Sequence, residues 1–207
     1  QIVYYFTAAV SLGAPHRPIN FVVPTGNFGD IFAGYAAKQM GLPIANLVIA
    51  TNSNDILART LHAGVYETDG VVPTISPSMD IQVSSNFERL LFEALGRDGS
   101  GVQRLMASLQ QSGRFTVPPS AQAAIRADFA AGRADEATTS ATMARVFKDA
   151  GYLLDPHTAV GVAVASAIDL GSAPVVTLAT AHPAKFPAAV KAATGIEPPL
   201  PAWLSDL

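Results

Sequence analysis

The chain has 207 residues, enough for one large or two small domains, and 49% of them are hydrophobic while 14% are charged. The net charge of -3 gives no basic surface for nucleic acid and no polybasic membrane anchor. The chain has no cysteine, which excludes disulfides, thiolate nucleophiles and thiolate metal sites and suits a reducing compartment. We therefore expect a cytoplasmic globular protein without a nucleic-acid or membrane partner.

The apolar segments and the first residue bear on how the natural chain is organised. The longest apolar run, residues 160–167, is far too short to span a bilayer, and no signal sequence is apparent. The first residue is Gln1 rather than methionine. We therefore expect the natural chain to begin earlier.

Residues 1–75 are predicted to begin a parallel α/β domain, because apolar strand patterns alternate there with helix patterns of the usual length. The predicted elements are a buried helix at 2–12, a strand at 19–23, a helix at 31–40, a strand at 47–50, a helix at 56–63 capped by Asn54 or Asp55, and a short apolar piece at 71–75.

The sequence pattern of residues 76–150 differs from that of residues 1–75, because helical patterns follow one another there without an intervening strand pattern. The predicted helices lie at 87–95, 102–111, 120–131 and 135–148. We expect this segment to be a helical insertion or lid on the sheet domain.

Residues 151–207 are predicted to complete the α/β domain. Asp155 is well placed as the N-cap of a helix at 156–170, and Pro156 suits its first turn. Residues 174–178 are predicted to be a strand buried on both faces, since they form a nearly continuous apolar run. A last helix begins near Pro183, and the proline-rich tail, 197–207, is expected to be extended.

The run at 24–30, Pro-Thr-Gly-Asn-Phe-Gly-Asp, joins a predicted strand to a predicted helix. Glycines at 26 and 29 permit tight turns at which N–H groups converge, and the helix dipole favours an anion at the same point. The spacing matches neither the dinucleotide-binding fingerprint nor the P-loop. The run therefore predicts a phosphate cradle, although an ordinary strand-to-helix turn has the same pattern.

Further motifs occur in a specific order along the chain. Together they resemble threonine synthase, a pyridoxal-phosphate enzyme of fold type II, whose large domain is an open, mostly parallel α/β sheet flanked by helices. The motifs are the loop at 24–30 with GYAAK at 34–38, NDIL at 54–57, SPSMDI at 76–81, SNFERLL at 85–91, GYLLDPHTAVG at 151–161 and TLATAHPAKF at 177–186.

The resemblance implies the conversion of O-phospho-L-homoserine and water to L-threonine and phosphate. It also implies that pyridoxal phosphate is the cofactor. In the family, a threonine at the position of Thr180 meets the pyridine nitrogen. The loop holds the cofactor phosphate through backbone N–H groups. Asp30, the last residue of the loop, caps the helix or hydrogen-bonds to the loop and does not bind the phosphate with its side chain. The implied cofactor-binding residues are Gly26, Asn27, Phe28, Gly29, Asp30 and Thr180.

The lysine that binds the cofactor as a Schiff base lies in this family in a small domain upstream of the loop. No lysine precedes Gly26 here, and Lys148, although flanked by Phe147 and Asp149, is in the wrong chain order. We therefore expect this chain to be the carboxyl-terminal half of the enzyme. The upstream portion of the same enzyme is then its partner. We expect this half to contain no catalytic residue and to be inactive alone.

Other interpretations stay open for several residues and for the chain. His157 and His182 suit structural roles better than catalysis, and no His or carboxylate spacing predicts a metal site. Asn86 and Arg89 suit either an anionic ligand or a cap and a surface ion pair. The alternatives for the chain are another fold type II lyase, such as a dehydratase or phospholyase, and a noncatalytic assembly module.

Overall fold

A four-stranded parallel sheet forms the centre of the protein. The structure is a computed structural model, and it describes residues 1–204. Its helices are α1 (Ile2–Ser11), α2 (Gly29–Gln39), α3 (Ile56–Ala63), α4 (Phe87–Ala94), α5 (Gly99–Ser112), α6 (Pro119–Asp128), α7 (Glu136–Ala150), α8 (Pro156–Ala167) and α9 (Pro187–Thr194). Its strands are β1 (Ile19–Pro24), β2 (Ile44–Thr51), β3 (Val65–Glu67), β4 (Arg114–Thr116), β5 (Phe129–Arg133) and β6 (Val175–Thr177).

The central sheet has the strand order β5-β2-β1-β6, and all of its pairings are parallel. In the register, Val22 of β1 lies between Val48 of β2 and Thr177 of β6. The carboxyl ends of the strands therefore meet at one edge of the sheet, which is where open α/β folds bind ligands. The predicted fold class, a mostly parallel α/β sheet flanked by helices, is confirmed.

Alternate residues of β1 and β2 face the two sides of the sheet and form separate parts of the core. Phe21 and Leu47 pack in the larger cluster with residues of α1, α2, α3 and α6. Val22 and Val48 pack in a second cluster with residues of α8, such as Val160. Every residue of β1 is buried, as expected for an inner strand covered on both faces.

Two strands lie within residues 76–150, so the expectation of an uninterrupted helical segment is wrong. β4 pairs antiparallel with β3, and β5 pairs with β2 at the edge of the central sheet. The alanines of β5 favour a helix, but a Cβ on Gly132 would lie 2.8 Å from a side-chain carbon of Val164 in α8. Close packing against α8 therefore overrides local propensity. The division of the chain at residues 75 and 150 stays a prediction.

Two further expectations are wrong in detail. α1 is not a buried helix, because Val3 and Tyr4 are 70% and 65% exposed while Tyr5 and Ala9 are buried. β6 is not covered on both faces, since it lies at a sheet edge and Val175 is 44% exposed.

The ends of the chain also differ from the expectation in detail. The segment after Pro183 begins with a short 3₁₀ turn, Pro183–Lys185, before α9. The tail contains the 3₁₀ turn Ala202–Leu204, and residues 205–207 of the predicted tail lie outside the described part of the chain. Among residues 1–204, no helix is both long enough and apolar enough to cross a membrane.

Candidate functional site

A cavity of about 750 Å³ opens at the carboxyl-terminal edge of the central sheet. The glycine loop after β1 and residues 178–181 after β6 line it, together with Ser78, Met79, His157 and Lys185. Four residues at the start of the chain also line it: Gln1, Tyr4, Thr7 and Ala8. All six sequence-predicted site residues therefore line one cavity, which has the volume of an ordinary small-molecule site.

The glycine loop presents backbone donors that the protein does not use. Within residues 1–204, the N–H groups of residues 26–30 donate no hydrogen bond, whereas the neighbouring Thr25 N–H donates to Ala50 O at 2.8 Å. The last of these N–H groups belong to the first turn of α2, which carries the positive end of the helix dipole. The loop is therefore suited to an anion such as a phosphate.

The loop takes its shape from Phe28 rather than from its glycines. Phe28 has φ +67°, in the left-handed region, while neither Gly26 nor Gly29 has a positive φ. This conformation is rare for an aromatic residue, and burial of the ring between Phe87 and Phe129 holds it in place. The prediction that the glycines make the turn is wrong in this respect.

Gly26 is required for another reason, which is the close approach of a second segment. A Cβ on Gly26 would lie 2.7 Å from the carbonyl oxygen of Ser78, a distance that real Cβ atoms do not tolerate. Any side chain at this position therefore displaces one wall of the cavity.

The carbonyl groups of the loop are held from outside the cavity. Ser84 Oγ donates to Gly26 O at 2.7 Å, and the backbone N–H and Nδ2 of Asn86 donate to Asn27 O at 3.1 and 2.8 Å. These bonds fix the peptide groups while leaving their N–H groups free. Asn86 thus supports the loop, whereas Arg89 is exposed and does not line the cavity.

The segment Ser76–Asp80 forms the facing wall, and a polar network anchors its far end. Asp80 Oδ1 accepts hydrogen bonds from Nδ2 of Asn52 and Nδ2 of Asn54 at 2.8 and 3.0 Å. Asp80 Oδ2 accepts from the Thr74 N–H at 2.8 Å. Asn52 and Asn54 are buried just after β2, so the network ties this wall to the end of the sheet.

The middle of the same segment, at Ser78, is bonded to the first turn of α8. His157 Nε2 accepts a hydrogen bond from the Ser78 N–H at 3.1 Å, and His157 Nδ1 lies 3.0 Å from Asp155 Oδ1. Asp155 caps α8, since Oδ1 also accepts from the His157 N–H at 2.9 Å. The predicted N-cap is confirmed, and the structural interpretation of His157 fits these bonds.

Comparisons with known proteins agree in one family. The model "Threonine synthase, C-terminal" matches residues 158–207. A threonine synthase of Pseudomonas aeruginosa is 53% identical over 209 residues, covering 100% of this chain and 45% of its own length. A crystal structure described as PLP-bound threonine synthase from Brucella melitensis has 65% identity and a TM-score of 0.97, covering 99% of this chain and 44% of that one.

The chain belongs to the threonine synthase family. The crystal structure of threonine synthase from yeast is also similar, with 42% identity and a TM-score of 0.87 over 93% of this chain and 42% of that one. The resemblance seen in the motifs is confirmed. The chain spans about half the length of the relatives that it matches, and it corresponds to the carboxyl-terminal half of threonine synthases.

The lysines of this threonine synthase homologue lie in different settings. Lys185 lines the cavity, with Nζ 5.9 Å from the centre of the Phe186 ring. Lys148 is exposed at the end of α7 and does not line the cavity. Thr180, exposed on the cavity wall after β6, lies on the same segment as Lys185.

Asp30 and Tyr5 connect the loop to α1. The Tyr5 hydroxyl donates to Asp30 O at 2.8 Å and lies 3.4 Å from Asp30 Oδ1. Burial, followed by the negative charge of Asp30, raises the pKa of Tyr5, so its hydroxyl stays a neutral donor. Burial also raises the pKa of Asp30. Hydrogen bonding by Tyr5 therefore connects α1 to the end of the loop, where α2 begins.

Several cavity residues were not predicted as site residues. Three of them lie within the family motifs: Ser78, His157 and Lys185. The motifs therefore mark these positions but do not reveal what the residues do. The signal for Tyr4 and Thr7 is weaker, because it requires knowing that α1 borders the cavity. His182 caps the turn after it, with Nδ1 accepting from the Ala184 N–H at 3.1 Å.

Proposed function

We propose that the chain carries the cofactor-phosphate half of a threonine synthase. The complete enzyme converts O-phospho-L-homoserine and water to L-threonine and phosphate with pyridoxal phosphate as cofactor. The observation that carries the proposal is the set of free N–H groups at residues 26–30, which belong to a cavity wall at the start of α2. Threonine synthase relatives with up to 65% identity support the same assignment.

The residues of the cavity fit the chemical groups of pyridoxal phosphate. The backbone of Gly26, Asn27, Phe28, Gly29 and Asp30 holds the phosphate, because its N–H groups are free and the helix dipole is positive there. Lys185 adds a positive charge to the same cavity. When bound, the cofactor withdraws electrons from the substrate and so acidifies its carbon–hydrogen bonds.

Thr180 contacts the pyridine nitrogen of the cofactor in this proposal. A hydroxyl group is a neutral hydrogen-bond partner, so it orients the ring without holding the nitrogen protonated as a carboxylate would. The position of Thr180 after β6, on the wall of the cavity that contains the glycine loop, supports this role.

Asp30 acts as a support for the loop rather than as a phosphate ligand. Its backbone carbonyl accepts the Tyr5 hydroxyl, and its carboxylate would repel a phosphate at contact distance. Asp30 therefore contributes its N–H group to the cradle while its side chain faces Tyr5.

The lysine that binds the cofactor lies outside this chain, in the remainder of the enzyme, and the 207 residues alone are inactive. The exposed apolar side chains of Val3 and Tyr4 on α1, together with the edge strand β6, provide the surface that this remainder covers. Tyr4 also lines the cavity, so this surface continues into the site.

The direct test uses the natural protein that contains this sequence, with pyridoxal phosphate and O-phospho-L-homoserine. We expect release of phosphate with formation of threonine, and no release by the 207-residue chain alone. Release of phosphate with a keto acid would instead indicate a phospholyase. A natural protein that binds no pyridoxal phosphate would contradict the proposal as a whole.

The role of Thr180 is tested by Thr180→Val in the natural protein. We expect the thermal unfolding midpoint to be unchanged, turnover to fall about tenfold or more, and the absorbance of the bound cofactor to shift, because only the hydroxyl is lost. Thr138→Val is the control, since Thr138 is exposed on α7 outside the cavity. Equal turnover in the wild type and Thr180→Val would contradict the assignment.

A further inference from the structure

One contact of the site is not used by the proposed chemistry: the hydrogen bond from the Ser78 N–H to His157. The two residues are 79 positions apart, and the bond joins the segment Ser76–Asp80 to the first turn of α8. His157 is only 3% exposed, so its ring is packed in place rather than free to rotate in solvent.

The hydrogen-bond partners of His157 determine which ring nitrogen carries the proton. Asp155 Oδ1 accepts from the His157 N–H and lies 3.0 Å from Nδ1, so Nδ1 is the donor nitrogen. Nε2 is therefore an acceptor, which is the state that the Ser78 N–H requires at 3.1 Å. The Phe186 ring, 4.7 Å away between centroids, packs against the imidazole.

The position of Ser78 matters because its carbonyl touches the cradle. That oxygen would lie only 2.7 Å from a Cβ on Gly26, so the Ser78 peptide packs directly on the loop. The N–H of Ser78 is held by His157. Asp155, His157 and Ser78 thus form a continuous connection from the start of α8 to Gly26.

The segment is held at both ends, Ser76 and Asp80, by Asn52 and at its middle by His157. Asp80 is bonded to Asn52 and Asn54 after β2, whereas the connection at Ser78 depends on His157. Removing the imidazole therefore releases the Ser78 N–H beside Gly26, while Ser76 and Asp80 at the ends of the segment stay bonded to Asn52. We therefore expect the protein to remain folded while the phosphate cradle becomes more mobile.

We infer that His157 is a positioning residue, which acts through the Ser78 peptide to hold the phosphate cradle in its binding geometry. The inference rests on the proposed function in one respect, since it takes the cofactor phosphate as the ligand of the cradle. The arrangement of the segment itself is independent of any ligand, and it is measurable separately.

The test compares His157→Leu with His157→Gln in the natural protein that contains this sequence. Leucine removes the acceptor, while the Oε1 of glutamine reaches about as far as Nε2 and restores it. Two quantities are measured: hydrogen exchange of the Ser78 amide in cofactor-free protein, and the affinity for pyridoxal phosphate. His157→Asn, whose shorter side chain does not reach Ser78, replaces the leucine variant if that variant does not fold.

We expect about fivefold to tenfold faster exchange at Ser78 and a similar loss of affinity in His157→Leu, with His157→Gln within about threefold of wild type. Equal values in His157→Leu and wild type, or an equal loss in both variants, would overturn the inference. If wild type binds no pyridoxal phosphate, the proposed function fails, while the exchange of Ser78 still decides whether His157 holds the segment.

Discussion

The two walls of the cavity are held in place by different forces. The glycine loop rests on an aromatic core, with Phe28 buried and its ring 5.3 Å from that of Phe87. The facing segment, Ser76–Asp80, is fixed by hydrogen bonds to Asn52, Asn54 and His157. One wall is held by burial of side chains and the other by directional polar contacts.

This difference explains why the free backbone donors lie in the glycine loop. Burial of Phe28 fixes the loop without using its backbone, so the N–H groups of residues 26–30 stay free for an anion. In the facing wall, by contrast, the Ser78 N–H is already bonded to His157. In the proposed function the first wall binds the phosphate, and the second limits the space available to the ligand.

The largest expected effect comes from removing the aromatic support of the loop. Phe28→Ala should lower the free energy of unfolding by about 3–5 kcal/mol, because it leaves a cavity between Phe87 and Phe129. Chemical denaturation measures this loss. Phe92→Ala is a matched control, since Phe92 is 37% exposed. A loss below about 1 kcal/mol for Phe28→Ala would show that burial does not hold this wall.

The next effect comes from forcing the two walls apart. Gly26→Asp places a Cβ only 2.7 Å from Ser78 O and adds a negative charge to the proposed anion site. We expect the affinity for pyridoxal phosphate to fall at least about 100-fold in an equilibrium titration of the natural protein. Gly99→Ala, at a position with open space around it, should bind as wild type does. Undiminished binding by Gly26→Asp would exclude the loop as the phosphate site.

A smaller effect is expected from weakening the polar wall. Asp80→Asn replaces an acceptor that receives hydrogen bonds from Asn52, Asn54 and Thr74, and the new amide faces those donors. The free energy of unfolding should fall by about 1–3 kcal/mol. Asp149→Asn, at the exposed end of α7, should lower it by less than about 0.5 kcal/mol. Equal stabilities of the two variants would show that the network contributes nothing.

The smallest effect concerns the pH dependence at Asp30. Burial raises its pKa in the folded protein above the usual 3.8, so the charged form opposes folding. The stability that neutral Asp30 provides is present below pH 3.8 and is lost as the pH rises through the raised value. Asp30→Asn should therefore be slightly more stable than wild type at pH 7, and this difference should shrink as the pH falls toward about 4. A constant difference across this range in thermal unfolding would contradict the role of burial.

The parts of the fold that sequence predicts well are those set by local pattern. The apolar run of β1 and the cap of α8 at Asp155 give clear local signals, and the structure confirms both. β5 was missed because its alanines favour a helix, and its strand form depends on packing between β2 and α8.

The features of the site also divide into those that local sequence predicts and those that depend on the tertiary fold. The glycine loop and Thr180 lie in recognisable motifs, and the structure brings them to one cavity. The left-handed turn at Phe28 was not predictable, since an aromatic residue rarely adopts it and only the surrounding core stabilises it. The bond between Ser78 and His157 joins residues 79 positions apart, so it exists only through the tertiary fold.

The most direct test of the central claim is a crystal structure of the natural protein with pyridoxal phosphate bound. The account predicts phosphate oxygens within about 3.2 Å of backbone nitrogens in residues 26–30, with Thr180 beside the pyridine nitrogen. A phosphate group bound elsewhere, with those N–H groups still free, would contradict it.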